Sequence, residues 1–243
     1  MDTKFITDYN GPVIKVANLS KTYSSVKVLE LPQLDIPRGE TFGLVGNNGA
    51  GKTTFFRLIL DLIRADSGEI LSYGNNVAKS ELWKNYTGSY LDEGFVIDFL
   101  TPEEYFDFVA ALNGMSKGDV DNFKARFADI FNDEILGKKK YIRDLSKGNQ
   151  KKVGIAAAMM SRPAILVLDE PFTNLDPSSQ IRLKNMLRAE RAERDVTMLI
   201  SSHDLNHVTE VCNRIVVLEK GAVVHDMATN DSTLEVLEQY FAG

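Results

Sequence analysis

An α/β architecture, with a mostly parallel sheet covered by helices on both faces, is the fold class this sequence predicts, and three observations carry the prediction. A buried apolar segment, 41–45, breaks into a glycine-rich loop and then into an apolar, helix-like stretch ending near Arg64. Beyond Gly154, apolar runs of strand length alternate with helix-length segments, the rhythm of a sheet built by crossovers. Between about Gly74 and Gly154 that rhythm is lost: aromatics become dense and strand signals thin out after Leu91, which marks a helical insertion. Small strands ahead of the glycine loop suggest a β-rich edge. With 243 residues, 44% of them hydrophobic, the chain can bury one sizeable core with a smaller lobe attached.

Taken in order, residues 1–11 read as a polar tail; 1–10 carry acids and no apolar run, so no signal peptide is expected. Residues 13–19 are a strand candidate, 20–25 a turn that contains Tyr23, 26–31 a second strand and 35–39 a turn. In 53–64, Phe55, Phe56, Ile59, Leu60, Leu62 and Ile63 leave few polar positions, as in a helix packed at the centre of an α/β core, and Asp66-Ser67-Gly68 ends it. Thr101-Pro102-Glu103-Glu104 has the form of a capping box with proline at the first helical position, which predicts a helix from Pro102 to about Leu112 that stops at Asn113-Gly114. Residues 119–131 place Val120, Phe123, Phe127 and Ile130 on one helical face. Phe99, Tyr105, Phe106 and Phe108 crowd the insertion; a local core accounts for most of these rings, and an exposed groove for a partner helix is the sharper alternative. Strands at 164–168, 196–201, 215–218 and 222–225, with helices at 177–191 and 232–241, complete the chain. The expected organisation is an α/β core over 12–91 and 156–243 interrupted by a helical insertion over 92–155.

Composition excludes several classes of function. The net charge of −6 provides no global field for nucleic acid, and Lys138-Lys139-Lys140 reads as a solvated loop, so no nucleic-acid partner is expected. Cys212, the single cysteine, excludes an internal disulfide and fits a reducing compartment. The longest apolar runs, such as 155–160 and 164–168, fall far short of the ~20 residues that cross a bilayer, so membrane work has to pass through a partner.

The chemistry concentrates in a few stretches. Gly46-Asn47-Asn48-Gly49-Ala50-Gly51-Lys52-Thr53-Thr54 has the spacing of a nucleotide P-loop. Its glycines let backbone N–H groups approach phosphate oxygens, and the helix starting near Lys52 points its positive end at the same anion. The candidate nucleotide contacts are Asn47, Gly49, Ala50, Gly51, Lys52, Thr53 and Thr54, with Lys52 reaching the β- and γ-phosphates and the Thr53 hydroxyl serving Mg²⁺. A glycine turn that binds nothing is the bland alternative, but the fixed positions arise by chance in a chain of this length on the order of one time in a hundred. Residues 165–170 form a buried strand ending in Asp169-Glu170, at the sheet edge where such folds hold ligands. Asp169 suits Mg²⁺ or its water ligands, and Glu170, on the opposite side of the pleat, suits a group that polarises an attacking water. His203 emerges after the next apolar strand and can donate to a phosphate whose charge grows in the transition state. His203 and His207 at i, i+4 also suggest zinc, but Asp204 follows His203 and no third ligand is evident.

Leu145-Ser146-Lys147-Gly148-Asn149-Gln150, followed by Lys151-Lys152 and an alanine-rich stretch, completes a set of motifs in which the chain, from about Val13 to Gly221, resembles the ATP-binding cassette (ABC) ATPases, nucleotide-binding subunits of ABC transporters. Residues 46–54 match the Walker A motif of that family, 165–170 the Walker B motif, Ser146 and Gly148 the signature, Asn174-Leu175-Asp176 the D-loop and His203 the switch histidine. The resemblance implies a P-loop NTPase (RecA-like) core with an antiparallel β edge and an inserted helical subdomain, ATP and Mg²⁺ as cofactors, and Tyr23 as the aromatic on which adenine stacks. It implies a two-fold dimer, two copies of this chain or a heterodimer with a second cassette, in which Ser146, Gly148 and Asn149 hold the γ-phosphate bound to the other subunit, with Asp176 alongside. It further implies a transmembrane permease as partner, with contact expected over 93–100, and a place on the inner face of the cell membrane through that permease. Two departures stand out. Glu93 occupies the place where the family usually has a glutamine that serves Mg²⁺ or water, and the signature carries Lys147 and Asn149 where Gly and Gln are commoner, a form resembling drug, polysaccharide and haem-type exporter ATPases. A soluble ABC ATPase acting on ribosomes or DNA is the alternative, disfavoured by the single cassette and the acidic balance.

Overall fold

The structure, a computed structural model, describes residue 6 and residues 8–242. Most of the predicted polar tail therefore lies outside the described residues. Strands β1 (Ile14–Tyr23) and β2 (Val26–Ile36) form a long antiparallel hairpin in which Tyr23 pairs with Val26. The turn predicted over 20–25 shrinks to Ser24 and Ser25, both with positive φ (46° and 70°), the backbone that a two-residue loop needs to match the twist of its strands. Strand β3 (Thr41–Val45) is buried throughout and feeds the glycine loop and helix α1 (Lys52–Ile59). That helix is shorter than its apolar pattern predicts, because Asp61 turns into the left-handed region (φ 49°) and redirects the chain. The residues that follow do not only end the helix: Ser67-Gly68 opens β4 (Ser67–Ser72), which pairs with β1 and then with the short β5 (Asn75–Asn76).

Strand β6 (Thr87–Tyr90) returns the chain to the larger sheet before the helical segment begins. Helix α2 (Pro102–Leu112) starts at the predicted capping box, with both reciprocal bonds between Thr101 and Glu104 made, and ends at Asn113. Helix α3 (Lys117–Arg126) begins two residues before the predicted start, because Ser116 and Asp119 form a second capping box. The single helix expected to Phe131 breaks at Phe127, and α4 (Ala128–Phe131) follows as one turn. Helix α5 (Lys147–Met159) is capped by Ser146, whose Oγ accepts from Asn149 N–H at 3.2 Å. Strand β7 (Ile165–Leu168), helix α6 (Pro177–Glu193), strand β8 (Thr197–Ser202), helix α7 (Leu205–Val211), strands β9 (Arg214–Glu219) and β10 (Ala222–Ala228), and helix α8 (Thr233–Ala242) complete the alternation.

The strands form a four-stranded antiparallel sheet, β2-β1-β4-β5, and a six-stranded sheet, β10-β9-β3-β8-β7-β6, parallel except for β10. The mostly parallel core with an antiparallel edge is thus the observed architecture. Two hydrophobic clusters meet across the larger sheet. One joins α1 and the antiparallel sheet to Phe42, Leu44, Ile165, Val167, Leu199, Val216 and Leu218; the other joins α2 to α6 to Val45, Leu166, Leu168, Met198, Ile200, Ile215 and Val217. The alternation of strand side chains between the two faces produces this division. Within the helices Phe106, Phe123, Phe127 and Phe131 are buried in mutual ring contact, with centroids 4.8–6.3 Å apart. Tyr105 is buried beside them, whereas Phe99 and Phe108 are exposed.

Candidate functional site

Parallel neighbours β3, β8 and β7 end on the same edge of the sheet, and their carboxyl ends carry the glycine loop, His203 and Asp169-Glu170 respectively. The loop conformation depends on glycine at particular points. Gly51 has φ 109°, and a Cβ there would lie 2.7 Å from the Val28 carbonyl oxygen of β2; Gly49 has φ 82°, and a Cβ there would meet open space. Gly51 is also the N-cap of α1, and no side chain caps it, so the first-turn N–H groups of the helix are left for an anion. Asn47 closes the turn through its carbonyl, which accepts from Ala50 N–H at 3.0 Å, and the Ala50 carbonyl accepts from Gly221 N–H at 2.9 Å. Thr54 follows within the first turn of the helix.

Lys52 is only 6% exposed and folds back over the loop, its Nζ donating to the Gly46 carbonyl at 2.6 Å and lying 3.6 Å from Glu170 Oε1. Thr53 Oγ1 donates to Asp169 Oδ2 at 2.5 Å. Asp169 Oδ1 accepts from the Ser201 hydroxyl, and that same oxygen of Ser201 accepts from Glu170 N–H at 2.9 Å. His203 Nδ1 is 2.9 Å from Glu170 Oε2. Lys52, Thr53, Asp169, Glu170 and His203, far apart in sequence, thus form one polar cluster connected through Ser201. Burial pushes the Asp169 carboxyl above the usual carboxylate range, and the bonds from Ser201 and Thr53 oppose that rise. Glu170 itself has φ 47°, a left-handed conformation that a side chain other than glycine rarely adopts.

The hydroxyl of Thr53 and the carboxylate of Asp169 are hard oxygen donors set side by side next to the loop, a donor set that suits Mg²⁺ shared with phosphate oxygens. Glu93 stands on the single-turn 3-10 segment Glu93–Phe95. Its carboxylate acts on the buried Tyr90 hydroxyl, whose pKa is raised first by burial and then by Glu93, and on the Lys151 ammonium. Tyr23 lies at the hairpin end, 43% exposed, with the Lys21 ammonium 5.3 Å from its ring centroid. The cleft of about 520 Å³ beside Asn47, Asn48, Gly49 and Ala50 is completed by Leu218, Lys220, Tyr240 and Phe241, not by Tyr23.

Among the described residues, no hydrogen bond joins Ser146, Gly148 or Asn149 to the loop 46–54. Gly148 instead packs on the turn at Asn174 of its own chain, where a Cβ would lie 2.7 Å from the Asn174 carbonyl oxygen. Asp176 caps α6, accepting from Ser179 N–H at 3.0 Å and from the Ser178 and Ser179 hydroxyls, and these bonds hold its carboxyl far below the usual range. Lys152, buried, lies 3.9 Å from Asp176 and 3.8 Å from Glu134. His207 turns away from His203 toward Asp204, at 3.5 Å, and the Phe172 ring, and among the described residues no three metal-ligating side chains gather. Two residues of the cluster escaped the sequence reading. Ser201 could have been found as a polar side chain following the apolar run Met198-Leu199-Ile200, and Lys151 as a lysine one turn ahead of Ile155 in an alanine-rich helix.

A parallel sheet whose carboxyl edge carries a P-loop, an acidic pair and a histidine defines a P-loop nucleotide-binding protein. Residues 29–173 match the family described as ABC transporter. YhaQ of Bacillus subtilis, an uncharacterized ABC transporter ATP-binding protein, is 34% identical over 212 residues, covering 87% of this chain and 70% of its own length. The bacitracin transport ATP-binding protein BcrA of Enterococcus faecalis is 33% identical over 222 residues, 88% of this chain and 69% of its own. A solved ATP-binding subunit of an ABC transporter superposes with a TM-score of 0.83 at 26% identity, covering 95% of this chain and 98% of that one. The chain belongs to the ABC transporter family and is an ATP-binding subunit of that family. Among the described residues no helix is long and apolar enough to cross a membrane.

Proposed function

We propose that this chain binds and hydrolyses magnesium-ATP, and that two cassettes closing on the nucleotide drive substrate movement through a membrane permease. The observation that carries the reading is the cluster in which Glu170 Oε1 lies 3.6 Å from Lys52 Nζ while Oε2 lies 2.9 Å from His203 Nδ1. A carboxylate held between a phosphate-seeking ammonium group and an imidazole is suited to accept a proton from water in line with a γ-phosphate. Lys52, already desolvated, supplies positive charge where the transferred phosphoryl gains negative charge. Thr53 and Asp169 would hold Mg²⁺, which neutralises phosphate oxygens when bound. His203 orients Glu170 in the free protein and can turn its ring to the γ-phosphate when nucleotide enters. Tyr23, exposed beside β2, is offered to the adenine.

Ser146, Gly148 and Asn149, at the start of α5, would grip the γ-phosphate held by the loop of a second cassette, and Asp176 would sit at the seam. Loss of that phosphate would loosen the pair, a two-state change that a permease can follow. The exposed rings of Phe95 and Phe99, beside Glu93, form the permease contact, and 92–155 move with it as a helical lobe. The form of the signature favours export. Purified protein should release phosphate from ATP only with a divalent cation. Glu170→Gln should slow turnover by at least about a hundredfold while still binding ATP, and should lengthen the life of an ATP-loaded dimer on size-exclusion chromatography. Full turnover in that variant would remove Glu170 from this role, and recovery of the chain with ribosomes or DNA rather than a multi-spanning membrane protein would overturn the transport reading.

A further inference from the structure

Lys151 lies on α5, 4% exposed, one and a half turns beyond the Ser146 cap. Its Nζ donates to the Glu170 main-chain carbonyl at 2.8 Å and to Thr173 Oγ1 at 2.5 Å, and Thr173 Oγ1 donates in turn to the same carbonyl at 2.8 Å. The carbonyl so held belongs to the residue with φ 47°, a backbone state that persists in an L residue only where its surroundings impose it. Burial lowers the Lys151 ammonium from the usual lysine value, and the Glu93, Glu170 and Asp169 carboxylates oppose that fall, so the cation belongs to the same electrostatic cluster as the proposed reacting groups. Close packing keeps the helix from sliding at this point: a Cβ on Gly154 would lie 2.2 Å from the Tyr90 ring.

We propose that Lys151 is a positioning residue for hydrolysis, pinning the Glu170 peptide from the signature helix so that the Glu170 carboxylate faces Lys52 and His203. The inference rests on the ATPase reading above. Its physical content is that the helix carrying Ser146 at its tip also holds the peptide of the proposed base, through a rigid rod rather than a loop. Displacement of the tip against a second cassette would then be felt at Glu170 directly. A methionine at 151 fills similar volume without the ammonium, and the Glu170 carbonyl loses its charged donor, leaving the left-handed state braced by the Thr173 hydroxyl alone.

Steady-state and single-turnover phosphate release should be measured for wild type, Lys151→Met, Lys151→Gln, Lys151→Arg and Glu170→Gln, with nucleotide affinity from a non-hydrolysable ATP analogue. The expected result is a fall in kcat of about tenfold or more for Lys151→Met, with analogue affinity and KM within about twofold of wild type and partial recovery in Lys151→Arg. Added to Glu170→Gln, Lys151→Met should slow single turnover no further, because its effect acts through Glu170. Unchanged kcat, a change confined to KM, or a loss that multiplies with Glu170→Gln would overturn the proposal. Should Lys151→Met not fold, Lys151→Gln and Lys151→Arg decide by the same comparison. Absence of turnover in wild type would instead overturn the ATPase reading, and with it this one.

Discussion

Replacing Ser201 with alanine tests the connected cluster at its narrowest point. The Ser201 hydroxyl donates to Asp169 Oδ1 and accepts Glu170 N–H at 2.9 Å, with the serine itself fully buried. Alanine removes a hydrogen bond to a charged group, worth ~1.5–3 kcal/mol, and leaves a peptide N–H without its partner, at ~1–3 kcal/mol. Relaxation recovers part of this, so a loss of folding stability of about 2–4 kcal/mol is expected. If ~1.4 kcal/mol of the loss is felt at the reacting centre, kcat falls about tenfold. There is also a pH signature. The bond from Ser201 opposes the burial that raises Asp169, so without it the Asp169 carboxyl moves further up and the acid limb of the kcat/KM profile shifts to higher pH. Phosphate release across the acid and neutral range, together with a thermal melt, reads both effects. A variant that melts lower yet keeps wild-type kcat and an unmoved acid limb would refute the coupling and leave Ser201 as a packing residue.

Asp169→Asn should separate stability from activity. Because the folded-state pKa of Asp169 lies above 3.8, the folded chain binds more protons than the unfolded one from there up through the raised value, so ionised Asp169 subtracts from stability as pH rises through that window. The nucleotide-free variant should therefore melt higher than wild type at neutral pH, with the gap closing in acid, while divalent-dependent turnover falls by about a hundredfold or more. Tyr23→Ala should weaken ATP binding by roughly two- to tenfold, from ~0.5–1.5 kcal/mol of stacking, with little change in melting temperature; Tyr23→Phe should bind as wild type. Phe127→Ala removes a fully buried ring packed on Phe123 and Phe131 and should cost ~3–5 kcal/mol, read as a melting temperature lower by roughly 10 °C.

Much of the fold was legible because local signals and packing agree. The loop 46–54, the capping box at Thr101 and the apolar runs at β3, β7 and β8 each announce themselves within a few residues. The misses have physical causes. Strand β4 begins Ser67-Gly68-Glu69 with its first three residues exposed, so no alternation marks it. Helix α1 ends at Ile59 for a backbone reason, the positive φ of Asp61 just beyond it, that its apolar run hides. The break at Phe127 is likewise a matter of packing, since that side chain is fully buried in the ring cluster. At the site, the motif residues could be read one by one, but the partners that tie them together could not. Ser201 and Lys151 are ordinary residue types, and their contacts, to Asp169 and to the Glu170 carbonyl, exist only once β7, β8 and α5 are side by side.

The parity of positions along the central strands has a consequence for how the molecule comes apart. In β7, Ile165 and Val167 belong to the cluster under the antiparallel sheet, and Leu166 and Leu168 to the cluster under the helices; β9 alternates likewise with the parity reversed, Val216 and Leu218 facing the first and Ile215 and Val217 the second. A truncation at 165 and one at 166 are neighbours in sequence yet thin different layers. Native-state hydrogen exchange should accordingly show the protection of α2 to α4 collapsing first in the even-numbered case, with β1 and β2 persisting, and the reverse in the odd-numbered one.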